Sequence, residues 1–255
     1  MTLNAVMNKL ILENLANEFR IRELQISLFE PVSIHKALRT TGILCSFRPL
    51  DDDISGMAVK IKHEGDSQVH RFMLINTNDI YCKQRFTACH EFYHLLFQQN
   101  FSKSVDDSKY SSTKERDERN ANIFASFLLL PEAGLKMYAP VDEQRKDRIT
   151  LGTILKLEQY FRCSRATLLY RLKELGWISD DLISSFIENV KRSAAEYGYN
   201  TNLYEPTEII EVCGDYNIKA RGLFDKGLIS RSKYVSLIDD MGLNKEKCPQ
   251  GAGRL

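Results

Sequence analysis

Two histidines and a glutamate stand at a spacing that suits metal-dependent hydrolysis. Residues 85–94 read RFTACHEFYH and contain the pattern HExxH, formed by His90, Glu91 and His94. On a helix, His90 and His94 lie one turn apart on the same face, so both imidazoles can bind one metal ion. Glu91 lies beside them, where its carboxylate can take a proton from a metal-bound water. The motif therefore indicates a zinc-dependent peptidase, with the two histidines as ligands and Glu91 as the catalytic base.

A third metal ligand must come from another element. Catalytic zinc normally has three protein ligands and one open position. The remaining histidines fall on a surface helix or in a hairpin, which are poor contexts: His35, His63 and His70. Glu118 is the better candidate, at the start of the stretch ERNANIFASFLLLP over residues 118–131. Small alanines share its helical face and would let this helix approach the motif helix closely.

Two neighbours of Glu118 are also candidates for a role at the site. Asn122 lies one turn later, where its side chain can hydrogen-bond a ligand from outside the metal shell. A simple packing hydrogen bond is an equally open reading of Asn122. Glu115, one turn earlier in a run of mixed charge, is the fallback for the third ligand.

The two stretches together resemble the ImmA/IrrE-type metallopeptidases, whose pattern is RFTxAHExxH followed by ExxANxFAxxLLxP. The resemblance covers about residues 20–178, with Cys89 in place of a usual alanine and Tyr93 in place of a frequent glycine. It implies a minigluzincin-like fold with Glu118 as the third metal ligand. It also implies a protein substrate, usually a helix-turn-helix repressor, whose cleavage relieves repression. Zinc is the default metal, although a His/His/Glu set also accepts manganese or iron.

The composition is that of a soluble globular protein. The 255 residues allow one large domain or two small ones, and a hydrophobic fraction of 43% is enough for a core. A formal net charge of +1 gives no overall attraction to nucleic acid or to a membrane. The six cysteines lack CxxC pairing, which fits reduced intracellular thiols. With neither a signal peptide nor an apolar run of roughly 18 residues, the sequence predicts a cytoplasmic protein.

The apolar pattern predicts an α+β fold that must hold these residues in place. A small antiparallel sheet, packed on the HExxH helix and the glutamate-ligand helix, follows from three β-prone runs separated by turn residues. The expected strands are residues 43–47, 57–61 and 69–75. The expected N-terminal and motif helices are residues 4–20, 33–38, 83–98 and 114–130. A polar loop over residues 100–113 separates the two motif helices, and Pro131 ends the second one.

The chain divides into three predicted parts. They are a metallopeptidase domain (1–140), a helix-turn-helix-like helical pair (141–179) and a helical C-terminal extension of unknown role (180–255). In the pair, Ser164 is the expected N-cap of the second helix and Gly176 the residue after its end. Residues 180–242 are predicted to be wholly helical. The tail from Asn244 is expected to fray.

The helical pair raises the question of DNA binding. Four basic residues would give its second helix a basic side: Arg162, Arg165, Arg171 and Lys173. The turn lacks the glycine often found there, and the overall charge is near zero, so direct nucleic-acid binding is not expected. Packing against the peptidase domain, or docking a repressor, is favoured.

The combined prediction is a zinc-dependent HExxH metalloendopeptidase that cleaves a regulatory protein, a helix-turn-helix transcriptional repressor. The alternative is a non-catalytic metal-binding regulator, or a toxin–antitoxin component, that binds a repressor or DNA. Glu91 favours the enzyme, because a purely structural metal site has no need of a carboxylate beside its ligands.

Overall fold

The structure, a computed structural model, describes residues 3–51, 53–62, 69–98 and 112–240. Within those ranges the chain forms eleven α-helices and four β-strands. The strands are β1 (Leu44–Arg48), β2 (Gly56–Lys62), β3 (Val69–Asn76) and β4 (Glu211–Cys213). The first helices are α1 (Leu3–Glu18), α2 (Ile34–Thr41), α3 (Tyr81–Leu96), α4 (Ser112–Leu129) and α5 (Glu132–Tyr138). The later helices are α6 (Leu151–Phe161), α7 (Arg165–Glu174), α8 (Asp180–Phe186), α9 (Val190–Glu196), α10 (Tyr216–Asp225) and α11 (Arg231–Asp240).

The predicted α+β class is confirmed, but the four-stranded sheet is mixed rather than antiparallel. Its order is β2-β3-β1-β4, with β1 parallel to β3 and the other pairs antiparallel. After β1 the chain skips the neighbouring strand position and forms β2. Strand β3 then fills the position between β2 and β1. Turn residues revealed that the chain reverses, but not which strand lies beside which.

The fourth strand corrects the prediction that residues 180–242 are wholly helical. Residues 211–213 pair with β1, and Cys213 lies opposite Cys45 in the register. A three-residue strand is too short to show an alternating pattern in the sequence. It exists because the edge of β1 offers unpaired backbone groups to it.

The two motif helices pack against each other beside the sheet. Helix α3 contacts β2 and β3 on one side and α4 on the other, and α1 covers α4. Ala121 and Ala125 are completely buried where α4 meets its neighbours, as the small side chains predicted. Arg85 fixes α3 further, because its guanidinium donates to the carbonyl oxygens of Val32 (2.8 Å) and Arg162 (2.9 Å). The motif helix is therefore held from several directions.

Helices α6 and α7 form the helical pair that the sequence predicts between residues 141 and 179. Ser164 caps α7 by accepting from the Thr167 amide at 3.1 Å, and Gly176 takes a left-handed φ of 75° just after its end. Buried residues of both helices belong to the same hydrophobic core as the sheet, α3 and α4. The division at residues 140 and 179 stays a prediction.

Some predictions fall outside the described residues. The loop at 100–113 does so up to residue 111, and α4 begins at Ser112. The tail from Asn244 and the hairpin residue His63 also lie outside them. Among the residues that are described, no helix combines the length and apolar character needed to cross a membrane.

Candidate metal centre

Three side chains from α3 and α4 bring their ligand atoms to one point. The Nε2 atoms of His90 and His94 are 3.0 Å apart. One carboxylate oxygen of Glu118 lies 3.1 Å from His90 Nε2, and the other lies 3.6 Å from His94 Nε2. The structure thus groups the three residues that the sequence singled out as ligands. Glu115, the fallback, is exposed and is not part of this group.

The chemistry of this donor set fits a divalent metal ion. Two imidazole nitrogens and a carboxylate, with a further position open, are the ligands of a catalytic zinc site. Two nitrogen lone pairs at 3.0 Å repel each other unless a cation or a proton lies between them. The Glu118 side chain is 49% exposed, so the convergence point is accessible from solvent.

Neighbouring amides set the tautomer of both histidines. The carbonyl oxygen of Asn122 lies 2.9 Å from His90 Nδ1, and that of Gln98 lies 2.6 Å from His94 Nδ1. Because a carbonyl oxygen only accepts, each Nδ1 carries a proton, so each ring that loses its second proton frees Nε2 for a metal ion at the centre. The amide of Gln98 in turn donates to Asp117 at 2.8 Å, which fixes its orientation.

The sequence reading anticipated one of these supports and missed the other. Asn122, which the sequence suggested as a hydrogen-bond partner of a ligand, contacts His90 Nδ1. Gln98 and Asp117 were not singled out. The available signal was the four-residue step from His94 to Gln98 within the predicted helix over residues 83–98, which places an amide one turn beyond a candidate ligand.

The electrostatics of the centre favour a positive charge. Hydrogen bonds with His90 and His94 hold the pKa of Glu118 far below its usual range. Burial opposes protonation of His94, but hydrogen bonds with Glu118 and Gln98 outweigh it and raise its pKa. A carboxylate is thus kept ionised at the point where the two imidazoles meet it, which stabilises a cation there.

Glu91 faces a different environment from Glu118. It is only 8% exposed, and burial raises the pKa of its carboxyl above the usual value, opposed by the nearby His90 and His94. A carboxyl whose pKa is raised binds a proton more tightly than a carboxyl with the ordinary pKa does. Two carboxylates of one site are therefore tuned in opposite directions, which suits a ligand and a proton carrier.

The basic residues of α7 are mostly turned into the protein. Arg165 is 2% exposed and pairs with Glu158 at 2.6 Å, while Arg171 is 3% exposed and pairs with Glu13. Lys173 pairs with Asp180. Arg165 and Arg171 are not available to DNA phosphates, although the absence of nucleic-acid binding stays a prediction.

Comparison with known families assigns the chain to one of them. Residues 42–173 match the family model described as the IrrE N-terminal-like domain, peptidase family M78. The match spans slightly more than half of the chain and includes β1, both motif helices and most of α7. No curated protein matches the sequence. The chain therefore belongs to the IrrE N-terminal-like family of metal-dependent peptidases.

Proposed function

We propose that this protein is a zinc-dependent HExxH metalloendopeptidase that cleaves a helix-turn-helix transcriptional repressor. The observation that carries the catalytic part is the convergence of His90 Nε2, His94 Nε2 and the Glu118 carboxylate beside a buried Glu91. Such a set combines three ligands with a proton carrier, which a structural metal site does not require.

Each residue of the centre has a distinct part in this proposal. His90, His94 and Glu118 would hold the metal, with zinc as the default, although two imidazoles and a carboxylate also accept manganese or iron. When bound, a divalent metal lowers the pKa of a coordinated water and polarises the peptide carbonyl. Glu91 takes the proton of the attacking water and passes it to the leaving amine.

The substrate part of the proposal is supported by the resemblance to ImmA/IrrE-type peptidases. In that family the usual substrate is a helix-turn-helix repressor encoded nearby. We expect such a protein to dock on the α6–α7 pair, whose buried residues share the core with the motif helices. Recognition by docking would make cleavage of short generic peptides weak.

Cleavage by a Glu91→Gln variant tests this function. The substituted amide would keep the shape of the side chain but could not carry the proton, so we expect metal binding to persist while cleavage falls at least about 100-fold. Purified repressors whose genes lie beside the gene of this protein would be incubated with each variant. Mass spectrometry would then measure the new N-termini that cleavage produces in the repressor. Glu115→Gln, which changes an exposed glutamate on the neighbouring helix, is the matched control and should cleave normally.

Two results would contradict the proposal. Equal cleavage by Glu91→Gln and the wild type would remove Glu91 from the mechanism. Tight binding of a repressor without cleavage by the metal-loaded wild type would favour the non-catalytic regulator instead.

A further inference from the structure

A second set of metal-ligand atoms converges where the C-terminal part of the chain meets the sheet. His35 Nε2 lies 3.3 Å from one carboxylate oxygen of Glu211, and the Cys213 thiol lies 3.0 Å from the other. The three ligand atoms all lie within 4.8 Å of one another. None of the three residues belongs to the centre formed by α3 and α4.

The fold places these three side chains on one face of the sheet. Glu211 and Cys213 are two residues apart on β4, so their side chains point the same way. Across the register, Phe47 on β1 lies opposite Glu211. The imidazole of His35 stacks on the Phe47 ring, with 5.5 Å between centroids and 9° between planes. The stacking holds the imidazole over Glu211, in reach of both β4 side chains.

Helix α2 supplies the imidazole in a defined orientation. Ser33 caps this helix by accepting from the Lys36 amide, which places His35 in the first turn. Ala37 and Leu38 are completely buried and anchor the helix to the core. His35 is thus presented from a fixed element, while its side chain stays 46% exposed and reachable by an ion from solvent.

The geometry points to an exchangeable zinc site formed by His35, Glu211 and Cys213. Thiolate, imidazole and carboxylate are the three ligand types that zinc binds in proteins. Bonds of about 2.0–2.3 Å to a tetrahedral ion separate the ligand atoms by roughly 3.3–3.8 Å. The 3.3 Å between His35 Nε2 and Glu211 fits this range, and since the three ligand atoms lie within 4.8 Å of one another, small side-chain shifts bring Cys213 to the same ion. An ordinary surface ion pair between His35 and Glu211 would have no need of a buried thiol on the same carboxylate.

Zinc at this site would fasten a segment that lies outside the matched family domain. Residues 211–213 come after the matched range 42–173, and β4 has only three residues to hold it on β1. Binding free energy at a site made of two elements stabilises their contact. Three protein ligands leave one position open, so the ion can exchange, and zinc availability would set how firmly β4 is attached.

The full-length His90→Ala/His94→Ala variant isolates this site from the first centre. After incubation with zinc and removal of free ions, we expect about one zinc per chain by elemental analysis. Cobalt loading should give a near-ultraviolet thiolate-to-metal charge-transfer band, which the sulfur-free first centre cannot produce. Zinc should also raise the melting temperature of this variant.

Further substitutions in the His90→Ala/His94→Ala variant test which residues bind the zinc. Cys213→Ala should abolish both the zinc and the cobalt band, while Cys163→Ala, at another buried cysteine between α6 and α7, should leave both intact. His35→Gln, at a half-exposed position, provides a variant that keeps the fold and should also lose the zinc. Absence of zinc from the His90→Ala/His94→Ala protein, or zinc retained by both Cys213→Ala and His35→Gln, would overturn the inference.

Discussion

Each histidine of the HExxH motif has one ring nitrogen bound to a neighbouring amide and the other aimed at the centre. His90 relies on Asn122 at 2.9 Å and His94 on Gln98 at 2.6 Å. These contacts hold the rings in the tautomer that can bind a metal. They also restrict rotation of the rings, so less conformational freedom is lost when a metal binds. The affinity of the centre should therefore depend on residues that touch no metal.

Asn122→Ala should weaken zinc binding at the first centre by roughly 10- to 100-fold. The variant loses the acceptor for His90 Nδ1, so the ring can rotate and change tautomer. Competition with a chelator of known affinity measures the effect, in a Cys213→Ala background that removes the thiol of the second site. Asn120→Ala is the matched control, because this neighbour on α4 hydrogen-bonds the Tyr93 hydroxyl instead. Wild-type affinity in Asn122→Ala would show that the amide only contributes to packing.

Some residues of the site were easier to predict from the sequence than others. The four-residue step between His90 and His94 fixes their common face by helical geometry alone. Glu118 required a second motif and the family resemblance, because the register between two helices is a tertiary property. Gln98 was missed for a related reason: it follows the last turn of α3, and its value appears only once Asp117 is placed beside it.

At the scale of elements, the approach of β2 to α3 depends on a glycine. A Cβ atom at Gly56 would lie 2.4 Å from the Thr87 Cγ2 and 3.0 Å from the Leu74 carbonyl oxygen. Thr87 is one turn before the HExxH residues, so this close contact positions the part of α3 that leads into the centre. A larger residue would have to push the strand and the helix apart.

Gly56→Ala should lower the free energy of unfolding by roughly 1–3 kcal/mol through overpacking. Removing the opposing methyl group with Thr87→Ser should recover part of that loss in the double variant, because it clears the shortest contact. Urea denaturation of the two single variants and the double variant measures the coupling. Gly222→Ala on α10 is the control, since an added Cβ there meets nothing within 4 Å. Strictly additive effects of the two substitutions would contradict the proposed contact.

The elements were more predictable than their arrangement. Capping by Ser164 and the left-handed Gly176 fixed the limits of α7 through local backbone chemistry. The parallel pairing of β1 with β3 and the existence of β4 depend on contacts between distant residues, which periodicity does not report. The short strand β4 has no local signature at all, because its pairing partner β1 lies near the other end of the chain.

At the scale of the whole molecule, residues 203–213 support the start of the motif helix. The Tyr81 amide donates to the Glu205 carbonyl oxygen at 2.8 Å, and Gln84 exchanges hydrogen bonds of 3.0 Å with Thr207. Leu203 and Tyr204 pack in a small cluster with Cys82 of α3. The C-terminal part thus contacts the same helix that carries His90 and His94.

Truncation should therefore be tolerated after residue 214 but not after residue 200. A chain that ends at 200 loses β4 and the cluster around Leu203 and exposes Cys82, which lowers its melting temperature. A chain that ends at 214 keeps those contacts and should melt close to the full-length protein. Circular dichroism during heating compares the two. Equal stability of both truncated chains would show that residues 201–214 do not support the peptidase fold.

The metal content of Glu118→Ala is the most direct test of the central claim that α3 and α4 together form a metal centre. Wild-type protein, Glu118→Ala and Glu115→Ala would be purified identically without chelator and measured by elemental analysis. We expect Glu118→Ala to contain about one metal ion per chain less than the wild type, because two histidines alone bind weakly. Glu115→Ala, one turn away and exposed, should match the wild type. Equal metal content in Glu118→Ala and the wild type would contradict the account.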